Sequence, residues 1–351
     1  MSPGPLAPLR LLHVPNEVIE GDQVGPRAAF GQMLQAGTLA AYAACPWNLE
    51  LRRAGPAAAA TRLLDAAAQL RPDWVLWQHV GADAAAIELL PLLRRAAPGA
   101  RLLYHEGDLY GRGKPMPAAT RALVRAADAV ALVSHGAFAA QVRTLTRAVV
   151  LYAPSAADLQ RFGASPPAPP PEPAFDVVMI GNRVRSRLPW RRMPGAAERS
   201  ELARRLARRH GPRFALWGHG WRGHAGWQGP VAYAEQQQVL RRGHVAAAWG
   251  HYDREAGYFS DRLPIGLLSG VPQVVNRQPG YRELFGDDPP LALGAGVGGV
   301  VQAVDALLAM APHERAELAR RADAYARAHL TAEVVYPRLL REAVRAVGVA
   351  R

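Results

Sequence analysis

The stretch Tyr258-Phe259-Ser260-Asp261-Arg262, the apolar run Leu263 to Leu268, and Ser269-Gly270-Val271-Pro272-Gln273-Val274-Val275 read as a polar loop, a short helix, a turn and a buried strand. Gly270 suits the left-handed residue that ends a helix, Pro272 bars its continuation, and β-branched Val274 and Val275 favour a strand. The loop thus brings a hydroxyl, an acid and an arginine to a helix N-terminus, where backbone N–H groups and the helix dipole favour an anion.

Working outward, the same alternation runs along the whole chain. Apolar runs at Leu9 to Val14, Trp74 to His79, Arg101 to His105, Ala129 to Val133 and Val149 to Tyr152 read as strands, with helical patterns such as Ala57 to Leu70 and Ala82 to Ala97 between them. A second set lies at Phe175 to Ile180, Arg213 to Trp217, Val245 to Trp249, Gln273 to Asn276 and Leu291 to Leu293. Helices at Glu314 to His329 and Glu333 to Val347 close the chain. Alternating strands and helices imply parallel sheets wound by right-handed crossovers. Six prolines between Pro166 and Pro173 make a semi-rigid linker that halves the chain. The expected fold is therefore α/β, two Rossmann-like parallel-sheet domains facing across a cleft. The expected organisation is residues 1–162, a linker 163–174, a second domain 175–330 and a terminal helix 331–351.

At 351 residues, half of them hydrophobic, the chain has material for two cores. A net charge of +13 ordinarily points to nucleic acid or an acidic surface. Yet 41 of the 42 basic residues are arginine, with Lys114 the only lysine, a bias that GC-rich coding produces. The surplus concentrates between Arg183 and Arg213, where eleven arginines face two acids, so this stretch requires an anionic partner or a solvated helix face. Cys45 is alone, which excludes a disulfide framework and fits a reducing compartment. With no signal peptide and no apolar run of membrane-spanning length, a cytoplasmic location is expected, with peripheral membrane contact through arginines left open.

In open parallel sheets, ligands sit beyond the carboxyl ends of the strands, so residues there are the candidates. Asp176 to Asn182 followed by Arg183, Arg185 and Arg187 is a strand, a glycine turn and a cationic loop suited to a diphosphate. Gly181 permits close backbone approach, and Asn182, Arg183 and Arg187 supply polar and charged contacts. In Trp217-Gly218-His219-Gly220-Trp221, Gly218 admits a planar ring and Trp221 is placed to stack on a base or sugar. His251, Tyr258, Ser260, Asp261 and Arg262 extend the same site, with Arg262 on the diphosphate and Asp261 on a hydroxyl. Glu283 is a hydroxyl ligand or a first-turn helix acid. In the first half, His105-Glu106-Gly107-Asp108 and the nearby His79 offer a general base at a strand end; Glu106, Asp108 and His79 all remain candidates. No Asp-x-Asp triplet, P-loop, Gly-x-Ser-x-Gly elbow or His-Glu-x-x-His helix occurs.

The segment Asp176 to Phe285 resembles the C-terminal domain of bacterial group 1 glycosyltransferases of GT-B fold, closest to the CgeB-like branch. The matching pieces are the Asp176 to Asn182 strand and turn, Ala215 to Trp221, Ser260-Asp261-Arg262, Gly270-Val271-Pro272, and Gly280 to Phe285. The first half matches more loosely, through Ala131 to Ser134 and Leu151 to Phe162. The resemblance implies a hexosyltransferase-type enzyme that moves a sugar from a nucleoside diphosphate sugar to a hydroxyl acceptor, a surface glycan or a secondary metabolite. It implies no cofactor, no metal, no nucleic-acid partner, and a last helix that crosses back to the first domain. One position departs: relatives carry a ribose-binding glutamate five residues before the glycine of Gly270-Val271-Pro272, and here it is Ile265. Ribose then falls to Asp261 or Glu283. Two alternatives stand beside this reading, a nucleotide-sugar epimerase on the same fold and a non-enzymatic polyanion binder.

Overall fold

Buried aliphatic and aromatic runs form twelve strands in a computed structural model that describes residues 7–111, 114–163, 172–183 and 193–349. The chain divides into two units, Met1–Ala153 together with Ala332–Arg351, and Pro154–Thr331.

The first unit contains β1 (Leu9–Val14), β2 (Leu39–Ala44), β3 (Trp74–Gln78), β4 (Arg101–Glu106), β5 (Ala129–Leu132) and β6 (Val149–Tyr152). All pairings are parallel, in the order β2-β1-β3-β4-β5-β6. The strand order reverses between β1 and β3, which makes a crevice at their carboxyl ends. Leu11, Leu12, Leu76, Trp77, Leu103 and Val130 are buried along the sheet. The final helix, Ala332–Val349, belongs to this unit and packs on the helix Val24–Gln35 and on β6. It is tied in by a buried polar chain. The Tyr42 hydroxyl bonds His13 Nδ1 at 3.1 Å, His13 Nε2 bonds Gln78 Oε1 at 2.7 Å, and Gln78 donates to the Tyr336 hydroxyl at 2.7 Å. Burial pushes His13 down to about 3, so this chain is neutral.

The second unit contains β7 (Phe175–Ile180), β8 (Phe214–Trp217), β9 (Trp227–Gly229), β10 (Gly243–Ala248), β11 (Gln273–Asn276) and β12 (Ala292–Gly294). The order β12-β11-β10-β7-β8-β9 is again all parallel and reverses between β7 and β10. This is the doubly wound Rossmann order. Val177, Met179, Leu216, Val245 and Val274 form its core with Leu202 and Leu206 of the helix Ala196–His210.

Two strands escape the sequence reading, β2 (Leu-Ala-Ala-Tyr-Ala-Ala) and the three-residue β9. Both lie at sheet edges and lack the β-branched run that marks a buried strand. The helix read as Ala57 to Leu70 extends back to Trp47, with a break at Gly55 (φ 80°). Most of the proline-rich stretch lies outside the described residues. The second unit begins ahead of it, at Pro154, because Ala157 bridges Thr331 and Phe162 is fully buried among Leu263, Leu267 and Leu330.

Candidate functional sites at the two sheet crevices

In the second unit, register places the loops after β7 and β10 side by side, since Met179 pairs with Ala247. The helix Ala196–His210 supplies what joins them. Arg199 is 5% exposed. Its guanidinium donates to the Asn182 carbonyl at 2.9 Å, to the Trp249 carbonyl at 2.7 Å, and to His251 Nε2 at 2.9 Å. An arginine only donates, so His251 accepts at Nε2 and directs its Nδ1–H to the Pro194 carbonyl at 3.3 Å. Burial pushes His251 down to about 4, with the charges of Arg199 and Arg262 adding to the effect. The imidazole is therefore a neutral strut of fixed tautomer.

On the β7–β8 side, Asn182 accepts from the His219 amide at 3.0 Å, and the Gly181 carbonyl accepts from the Trp221 indole at 2.5 Å. Gly218 has φ 133°, and a Cβ there would lie 2.3 Å from the Gly181 carbonyl oxygen. Only glycine fits this approach. Arg183 stacks 5.7 Å from the centre of the Trp221 ring. Asp261 stands ahead of the six-residue helix Arg262–Leu267 and makes no ion pair with Arg262 among the described residues. The buried Nε of Arg262 has no hydrogen-bond partner among the described residues. Arg183 and Arg262 likewise make no ion pair among the described residues. A cavity of about 480 Å³ adjoins the His251 loop, lined by residues that include Gly195, Glu198, Tyr252 and Asp253.

In the first unit, Gln78 pairs with His105 in register, so the next residues, His79 and Glu106, stand side by side. His79 Nδ1 bonds Glu106 Oε1 at 2.7 Å. The same oxygen accepts the Asp108 amide at 2.9 Å, while Oε2 accepts the hydroxyls of Tyr104 at 2.7 Å and Tyr110 at 3.2 Å. Burial pushes the Glu106 carboxyl up, but His79, Tyr104 and the Asp108 amide outweigh it and hold it below its ordinary value. Burial pushes His79 down, and the Glu106 carboxylate outweighs that and raises it. Both shifts favour the ionised form of the pair, and His79 gives up its second proton only above its ordinary 6.5. His79 also has φ 34°, a left-handed backbone that a non-glycine residue rarely adopts, and Asn48 holds its carbonyl at 3.1 Å. Its side chain is 25% exposed, against 1% for Glu106. His79, Glu106 and Asp108 present ligand atoms within 4.8 Å of one another, the spacing of a metal site. A cation there would have to displace the four donors on Glu106 and the Lys114 ammonium on Asp108, so the trio fits a metal poorly.

The sequence candidates divide accordingly. His79, Glu106 and Asp108 are brought together; Glu106 is sealed from solvent, Asp108 is half-exposed and pairs with Lys114, and His79 presents an edge free of any carboxylate but Glu106. Gly181, Asn182, Arg183, Gly218, His251 and Arg262 gather around the second crevice. Trp221 is a correction: it is fully buried, its indole N–H is spent on Gly181, and it supports the loop instead of stacking on a ligand. Tyr258 is also buried, Ser260 and Asp261 are half-buried, and Glu283 is exposed on the helix Tyr281–Phe285. Ile265 is in the core, so no ligand contact comes from it. Arg187 lies outside the described residues. The arginines of the helix Ala196–His210 largely find acids: Arg204 and Arg205 pair with Glu201, and Arg209 with Asp305. Arg199, which joins the two loops, carries no signal in the sequence beyond an arginine at a buried helical position.

Residues 191–341 match a family model described as glycosyl transferase-like. No curated protein matches the chain in sequence. Among solved structures, Anabaena Alr3699/HepE in complex with UDP and glucose is similar at a TM-score of 0.59 and 13% identity, over 95% of this chain and 99% of that one. A glycosyltransferase from Rickettsia africae ESF-5 is similar at a TM-score of 0.59 and 11% identity, over 95% and 97%. Sucrose-phosphate synthase from Thermosynechococcus elongatus is similar at 0.55 and 13%, over 86% and 80%. The likeness lies in the fold, which is that of GT-B glycosyltransferases. No helix of the described residues is long and apolar enough to cross a membrane.

Proposed function

We propose that this protein is a metal-independent glycosyltransferase of the CgeB-like branch, transferring a hexose from a nucleoside diphosphate sugar to a hydroxyl acceptor. The observation that carries the reading is the division of charge between the crevices. The second unit gathers arginine side chains that make no ion pair among the described residues at a Rossmann switch point, where a diphosphate would bind. The first unit offers an imidazole backed by a buried carboxylate, the arrangement that lets histidine act as a base. The similar Anabaena structure holds UDP and glucose, which agrees with a nucleotide-sugar donor.

In this reading Arg183 and Arg262 hold the diphosphate and stabilise the charge that develops as the sugar leaves. Glu198 and Asp253, in the cavity beside the His251 loop, accept sugar hydroxyls. Once His79 has lost its second proton, above its raised titration point, it takes the acceptor proton at Nε2, and Glu106 holds its Nδ1–H and stabilises the imidazolium that forms. The reaction needs no protein-bound cation, because arginine supplies the positive charge. The acceptor is a surface glycan or a secondary metabolite, and a cytoplasmic location supplies the donor.

Calorimetric titration with UDP, GDP, dTDP and their hexose conjugates, with EDTA present, tests the reading. Micromolar binding of one nucleotide, weakened roughly ten- to a hundredfold in Arg262→Ala, is the expected result. No nucleotide binding, together with steeply salt-dependent binding of duplex DNA, would overturn it.

A further inference from the structure

Arg199 is a buried cation with an uncommon set of partners. A buried charge is ordinarily paired, because desolvation disfavours it strongly. Here the guanidinium meets two carbonyls and a neutral imidazole, and no carboxylate among the described residues pairs with it. The segments outside the description, residues 1–6, 112–113, 164–171, 184–192 and 350–351, contain no aspartate or glutamate. Burial, followed by the like charge of Arg262, pushes Arg199 down to about 10. The surroundings therefore work against this cation, and three neutral acceptors offset them without any opposite charge.

Its position gives the reason. The three acceptors, Asn182, Trp249 and His251, lie at the ends of the two strands that flank the switch point. Gly181, at the end of β7, packs directly on the arginine: a Cβ there would lie 3.5 Å from its Cδ. We infer that Arg199 is a positioning residue that fixes both loops of the crevice and serves as the built-in counter-charge for a multiply anionic ligand bound between them. The ligand class is a diphosphate. The inference rests on the donor-site reading above but assigns a residue and a property that the reading does not require: affinity that depends on ligand charge through a side chain sealed beneath the site.

The test separates charge from architecture. Arg199→Gln keeps N–H donors and removes the charge; Arg199→Lys keeps the charge and removes the fork. Binding of uridine, UMP, UDP and inorganic pyrophosphate is measured for each by calorimetry, with melting curves as a control. In the wild type, affinity should climb from uridine to UDP. In Arg199→Gln that climb should flatten by roughly tenfold per added charge, the size expected for unit charges about 10 Å apart at an effective dielectric near ~20. Arg199→Lys should keep most of it. A merely structural arginine would weaken all ligands alike, uridine included, and that outcome overturns the inference. Should the glutamine variant not fold, the lysine variant decides: a retained climb supports the inference, and a lost climb in a folded protein refutes it. Pyrophosphate binding that depends on Arg199, without UDP binding, would sink the donor reading and leave this inference standing. UDP binding with an unaltered climb in Arg199→Gln would do the reverse, and no binding of either probe would remove both.

Discussion

Glu106→Gln should be among the most costly isosteric changes in the first unit. The carboxylate is fully buried and accepts from His79, Tyr104, Tyr110 and the Asp108 amide. A glutamine whose oxygen replaces Oε1 keeps the bonds to His79 and Asp108, and its amide can donate to a rotated tyrosine hydroxyl. What it loses is the charge. Each bond then falls from charge-assisted to neutral, about 1 kcal/mol apiece, so the total is about 4 kcal/mol. That agrees with the ~3–5 kcal/mol for breaking a buried ion pair. The loss should depend on pH. His79 lies above its ordinary 6.5, so the stability it adds is complete below 6.5 and fades as pH rises through its folded value. Glu106 lies below its ordinary 4.5, so its contribution is complete above 4.5 and fades as pH falls through its folded value. The gap between wild type and variant should therefore be widest between 4.5 and 6.5. Hydrogen exchange of the β3 and β4 amides, followed by mass spectrometry, reads this unit separately from the other. A gap under about 1 kcal/mol, or one flat with pH, would refute an ionised His79–Glu106 pair.

Three further outcomes are expected. If His79 is the base, the transfer rate should rise with pH through a value above 6.5, and Glu106→Gln should move that limb lower; a limb unmoved in the variant would place the base elsewhere. Arg262→Ala should weaken UDP by roughly ten- to a hundredfold, the worth of one charge-assisted bond, while leaving uridine unchanged, as calorimetry would show. Gly218→Ala should lower the thermal stability of the second unit by about 2–3 kcal/mol, because the new methyl meets the Gly181 carbonyl at a φ disfavoured for alanine; a melting curve like the wild type's would mean that the loop relaxes at little cost.

The fold was legible wherever burial on both faces of a strand left a continuous apolar run. Phe175–Ile180 carries such a run at Val177 to Ile180 and Gln273–Asn276 a shorter one at Val274 and Val275, and the sequence reading gives the bounds of both as the structure has them. It fails for Leu39–Ala44, where alanine at a sheet edge satisfies a helix as well as a strand. The site was legible through strand ends, which is why His79, Glu106, Gly181 and His251 stand among the candidates. Exposure was not legible. A tryptophan after a glycine turn looks the same in sequence whether its ring faces solvent or, as with Trp221, the core. Arg199 was hidden for the same reason, in a helix whose other arginines at Arg204, Arg205, Arg208 and Arg209 are exposed.

The two crevices differ in how their buried charges are balanced, and that difference carries functional information. Glu106 is matched by four donors, so the buried charge of the first crevice is balanced, and the His79 edge stays open to solvent. In the proposed reading, such a site holds or moves one proton. Arg199 is matched by dipoles and opposed by Arg262, so the second crevice holds a buried cation that pairs with no carboxylate among the described residues. Desolvating a cation without a counter-ion is a standing cost to the fold, and an anionic ligand is what would lift it. The apo protein should therefore gain stability on binding pyrophosphate, and the gain should shrink in Arg199→Gln even though that variant carries less repulsion of its own. If the variant instead gained as much from pyrophosphate as the wild type, the missing negative charge would not be the ligand's to supply.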